Sequence, residues 1–141
     1  MDAPQKLYWE DRFSTGDANL DFQHKYIFET FNKLSDAIAD ESAGESINVI
    51  LGRLKFYSDW HFGKEEECMD RYKCPAAQVN KNAHDAFRVM FNKYYDEYVK
   101  TGGSLDLVIS VHKSLSDWLV NHILGVDISL YPCIHGQKKG E

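Results

Sequence analysis

Proline is the residue that most limits what this chain can become. In 141 residues it occurs three times, at Pro4, Pro75 and Pro132. Proline removes a backbone donor and clashes with the preceding helical turn, so it is excluded from helix interiors. The two long intervals between the prolines are therefore open to continuous helix. Two clusters of breakers divide them, Ser42-Ala43-Gly44-Glu45 and Thr101-Gly102-Gly103-Ser104. Helices are predicted near 18–41, 46–72, 76–101 and 104–124. Ser42 and Glu45 have capping-box spacing, and Ser104 after two glycines suits an N-cap.

Each predicted helix carries one stripe of core residues at alternating steps of three and four. The stripes run through Leu20, His24, Ile27, Phe31, Leu34 and Ile38, then through Ile50, Leu54, Tyr57, His61, Glu65 and Cys68. The third runs through Asn80, His84, Phe87, Phe91, Tyr94 and Tyr98, and the fourth through Val108, Val111, Leu115, Leu119 and His122. Helices of ~25 residues are ~37 Å long. Short connections then favour an all-α, up-down-up-down four-helix bundle. Residues 1–17 hold Tyr8, Trp9 and Phe13 and are expected to pack on the bundle as an N-terminal arm. The bundle itself is expected over 18–132, followed by a short tail over 133–141 that is disordered from Gly136.

Composition narrows the function classes. The net charge is -6, with no basic block, which argues against a nucleic-acid or anionic-membrane partner. No apolar run approaches the ~18 residues of a membrane helix, and the first residues lack the apolar core of a signal peptide. A soluble, cytoplasmic protein is expected. Cys68, Cys74 and Cys133 fit no zinc spacing, and an odd count suits a reducing compartment, so all three are read as ordinary thiols with Cys68 buried.

The polar residues within the stripes point to chemistry. His24, His61, His84 and His122 all fall at core positions, one per helix, and Glu65 lies one turn after His61 on the same face. A lone core histidine is more often simply hydrogen-bonded in place. Four of them, with a carboxylate, are economically explained by a shared metal site. Asp127 follows His122 by five residues, and a helix end at Gly125 would let it turn back toward that histidine. Alone, Asp127 reads as a solvated aspartate. Imidazole and carboxylate without thiolate suit iron, manganese or zinc. The ligand count exceeds what one four-coordinate zinc requires, and two bridged metals would use it all. The Glu-x-x-His pair of ferritin-like sites is absent. Glu66 and Glu67 are expected to face solvent. His112, about three turns from His122, is given a surface or supporting role, and His135 lies in the tail. Tyr57, Tyr94, Tyr95 and Tyr98 are read as core or interface aromatics.

These stretches together resemble the bacterial hemerythrins from about Trp9 to Pro132. The matching residues are Trp9, Phe13-Ser14-Thr15-Gly16, Asp21-Phe22-Gln23-His24, His61-Phe62-Gly63-Lys64-Glu65, His84-Asp85-Ala86-Phe87, Trp118 through Ile123, and Asp127. The resemblance implies a non-heme di-iron centre that binds O2 reversibly, its cofactor being two Fe ions joined by an oxo or hydroxo group. It implies that His24 and His61 hold one iron, and that His84 and His122 hold the other. Glu65 and Asp127 would bridge them, and Trp118 and Leu119 would line the O2 pocket.

One position departs from the family pattern. The third helix of the family carries a further histidine four residues before His84, where this chain has Asn80. Its amide oxygen can ligate weakly, a water can intervene, or the metal position can stand partly filled. The expected function is O2 storage, delivery or sensing rather than enzymatic turnover. Di-iron oxidase or peroxidase activity is the alternative, followed by a bundle with a partly occupied site.

Overall fold

The computed structural model describes residues 6–40, 44–125 and 129–139. Four long helices form: α1 (Ala18–Ala39), α2 (Gly44–Tyr72), α3 (Ala77–Thr101) and α4 (Leu105–Gly125), with a shorter α5 (Leu130–Lys139). α1 packs on α2 and α4, and α3 packs on the same two, which closes the up-down-up-down bundle. Among the described residues no helix is long and apolar enough to cross a membrane.

Local chemistry sets the helix ends. Asp17 caps α1 by accepting a hydrogen bond from the Leu20 N–H at 3.0 Å. α3 ends at Gly102, whose φ of 69° is left-handed, and the next N–H, from Gly103, donates to the Tyr98 carbonyl. The predicted capping residue Ser42 lies outside the described residues. The stripes read from the sequence are the faces that the bundle buries, with Tyr57 and Tyr94 half-buried at its edge. The core runs from Phe13, Ile27 and Phe31 through Leu54 and Phe62 to Phe91 and Leu115.

The N-terminal arm is stitched to α1. The Asn32 side chain exchanges two 2.7 Å hydrogen bonds with the backbone of Leu7. Phe13 enters a T-shaped contact with Phe28, with centroids 5.8 Å apart. Asp21 accepts from the Ser14 hydroxyl and the Thr15 N–H, which fixes the turn into α1.

Two expectations at the C-terminal end are corrected. Residues expected to form a tail, through Lys139, are helical in α5, which lays the buried Leu130 and Ile134 against Leu20, Cys68 and Met69. Pro132, one of the prolines expected to lie outside helices, is the third residue of α5. The first N–H groups of a helix have no internal partner, so proline is tolerated there. The second correction concerns the thiols. Cys74 and Cys133 form a disulfide across 59 residues, leaving Cys68 free and buried. With two of the three cysteines joined, their odd number does not indicate a reducing compartment. α5 brings Cys133 to the turn after α2, a meeting that no cysteine spacing encodes.

Candidate metal centre

The bundle interior gathers the four core histidines around one side chain. Glu65 on α2 is fully buried, as is His84, and His24, His61 and His122 are nearly so. Nε2 atoms of His24 and His61 stand 3.3 and 3.2 Å from one carboxylate oxygen of Glu65. Those of His84 and His122 stand 3.1 and 3.8 Å from the other. The donors thus divide into two groups that share Glu65: His24 with His61, and His84 with His122. Within each group the ligand atoms lie within 4.8 Å of one another. Asp127 lies outside the described residues.

The neighbours of the imidazoles decide which nitrogen carries the proton. The His61 Nδ1–H donates to the Gln23 side-chain oxygen at 2.7 Å. His84 Nδ1–H donates to Glu66 at 3.1 Å, since an ionised carboxylate only accepts. A neutral imidazole that donates from Nδ1 carries a lone pair at Nε2. In both rings Nε2 faces the Glu65 carboxylate, at hydrogen-bond distance from Oε1 (3.1 Å) for His84, and Glu65 Oε2 receives no aligned hydrogen bond among the described residues. A lone pair facing a buried anion is repelled, so each Nε2 needs either a proton or a metal ion between it and Glu65. The donor set therefore fits metal.

Burial acts to raise the Glu65 pKa, but where protons on the Nε2 atoms of His122, His24, His61 and His84 take the place of metal, their hydrogen bonds to the carboxylate outweigh it. They hold the carboxyl well below the ordinary carboxylate range. It is the charged form that a bridging ligand requires.

Asn80 sits beside this carboxylate, fully buried. Its Nδ2 donates to Glu65 Oε1 at 2.6 Å and lies 3.1 Å from Met69 Sδ. Since the carboxylate accepts only, the amide nitrogen rather than the oxygen faces it. Asn80 Oδ1 has no hydrogen-bond partner among the described residues. The amide is thus arranged to steady Glu65.

Aromatic rings wall the site. Phe62 stacks on His84 with centroids 4.0 Å apart, and Trp118 stacks on His122 at 4.3 Å. Trp118 and Leu119 border a cavity of about 10 Å³, together with His24, His61, His122, Ile27, Ser58, Phe62 and Ile123. That volume is about what a single small molecule the size of water needs.

Three supporting residues escaped the sequence reading. Gln23 and Phe62 adjoin ligand-type histidines in the chain, but neither is on a stripe. Glu66 was expected to face solvent. It is instead 22% exposed and turned inward to His84, where Arg88 also approaches it at 3.7 Å. Glu67 is exposed as expected. His112 is a core residue, not a surface one: its Nε2 meets the Ser35 hydroxyl at 2.7 Å and its ring stacks on Phe31. The Tyr94 hydroxyl meets that of Ser114, away from the histidines.

A helical bundle built around a buried histidine and carboxylate cluster defines a class of metal-binding bundle. The profile of the hemerythrin HHE cation binding domain matches residues 15–134, and the chain belongs to the hemerythrin family. It is similar to a bacteriohemerythrin from Stenotrophomonas maltophilia (strain R551-3), 30% identical over 121 residues that cover 86% of this chain and 76% of that relative. A bacteriohemerythrin from Methylococcus capsulatus (strain Bath) is 31% identical, with 86% of this chain and 91% of the relative covered. A hemerythrin-like protein from Naegleria gruberi is 27% identical over 89% of this chain and 91% of its own length.

Proposed function

We propose that this chain holds two non-heme irons between its four helices and binds O2 reversibly there. The observation that carries the reading is the convergence of four imidazole Nε2 atoms, one from each long helix, on the buried carboxylate of Glu65. His24 and His61 would hold one metal, His84 and His122 the other, with Glu65 between them and Asp127 the expected second bridge. The bacteriohemerythrin relatives support the same reading. When bound, a ferrous pair supplies the electrons that make O2 uptake possible.

The chain's own residues do the rest. Gln23 and Glu66 fix the His61 and His84 rings and make them better donors. Ile27, Phe62, Trp118, Leu119 and Ile123 keep the small cavity dry, so a molecule held there meets few protons. Iron-loaded protein should contain two irons per chain and show a visible band in air that reverses on deoxygenation. Absence of stoichiometric metal would overturn the reading.

Asn80 favours a second reading, oxidase or peroxidase chemistry. An amide engaged with Glu65 leaves two imidazoles on each side of the carboxylate, and so an additional open position on the side of His84 and His122. A ferric form that persists without oxygen and consumes hydrogen peroxide with a reducing dye would favour it.

A further inference from the structure

A buried centre needs a way in, and two surface grooves approach this one. The groove between α1 and α2, about 520 Å³, mixes charged residues such as Lys64 and Arg71 with Phe22, Tyr57 and Trp60, and it touches the metal side at Gln23, the partner of His61. The groove between α2 and α3, about 460 Å³, differs in sharing a side chain, Phe62, with the chamber over the histidines. Half of the residues that line it are aromatic: Phe56, Phe62, Phe87, Phe91 and Tyr95. Phe56 at its mouth is 79% exposed, whereas Phe62 is 2% exposed.

Phe62 also borders the cavity beside His24, His61 and His122. One aromatic ring therefore separates the groove from the chamber over the histidines. Phe87 extends the partition, meeting Phe62 edge-on at 5.2 Å and Trp118 of the chamber at 4.5 Å. Outside, the Arg88 guanidinium lies 5.4 Å over the Phe62 ring. Asp59 and Asp85 hold Arg88 in place at 2.6 and 2.8 Å.

From this continuity we infer that the α2–α3 groove is a binding site for small apolar gases and the path by which O2 reaches the centre, with Phe62 as its gate and Arg88 as the latch on that gate. The inference rests on the O2-binding reading for its physiological ligand. An uncharged diatomic molecule gains by leaving water for an aromatic wall, while ions and protons lose solvation there. The path thus admits O2 and rejects the species that would destroy the reduced centre. Rotation of the Phe62 side chain opens the partition, and the Arg88 contact sets how often that happens.

Gly52 offers a clean obstruction, because a Cβ built there meets nothing within 4 Å. Gly52→Trp on α2 should fill the groove without touching the histidine cluster. Xenon-pressurised crystals of the iron-loaded full chain should show xenon against Phe62 and Phe87, and none there in Gly52→Trp. O2 uptake measured by rapid mixing should slow several-fold in Gly52→Trp, with iron content and melting temperature unchanged. Arg88→Ala should speed uptake and release together, leaving O2 affinity nearly constant. Xenon absent from the groove, or uptake unaltered by Gly52→Trp, overturns the inference. If the protein binds no O2 at all, the functional reading fails, and xenon alone decides whether the groove is a gas site.

Discussion

Replacing Glu65 by alanine removes the one side chain to which all four histidines converge. The expected outcome is at most one metal per chain, read by metal analysis of the purified variant. Two irons with an unchanged spectrum would show that the bridge lies elsewhere. Asn80→His exchanges a steadying hydrogen bond at 2.6 Å for an imidazole, a better donor to iron. Iron occupancy on the side of His84 and His122 should rise, and air oxidation of the ferrous protein should slow. If neither changes, the Asn80 amide serves only to hold Glu65. The position of Asn80 was legible, since the helical period put it in the core. Its orientation was not, because that depends on the charge of a carboxylate fifteen residues away.

Among the elements, α5 contributes most that the period did not foresee. It covers the end of the bundle below Asn80, where Met69 contacts both the α5 cluster and the amide. The Cys74–Cys133 bond closes a loop of about 60 residues, which by chain entropy stabilises the fold by about 4 kcal/mol. Cys133→Ser should lower the melting temperature accordingly, and thiol labelling of the unreduced, unfolded wild type should find one reactive cysteine rather than three. Three labelled thiols would place Cys133 in a free helix. The long helices, by contrast, were legible to within a few residues, because their amphipathic period extends over about six to eight turns. Among the described residues of α5, Leu130 and Ile134 are the buried pair, with Cys133 packed beside them, too short a pattern to be separated from a loop.

For the whole molecule, the question is how far the bundle depends on its metal. The core from Phe31 through Leu115 is extensive and apolar, and it should hold the helices without help. Metal removal leaves four imidazoles and Glu65 facing one another in a dry interior, which should weaken the fold. Chelation should therefore lower the melting temperature while room-temperature helical circular dichroism stays largely intact. Loss of the helical signal on chelation would mean that the apolar core alone is insufficient.

The sequence by itself determined the four helices, the faces they bury and the histidines on those faces, since each follows from a period of 3.6 residues and from where proline and glycine fall. Only the tertiary structure decided what those side chains do to one another. The division of the histidines into two groups on one carboxylate, the turning of Glu66 toward His84, the amide of Asn80 against Glu65 and the joining of Cys74 to Cys133 all link residues on different elements of the fold. Such contacts arise from packing distance and charge in three dimensions, for which a local repeat along the chain carries no signal.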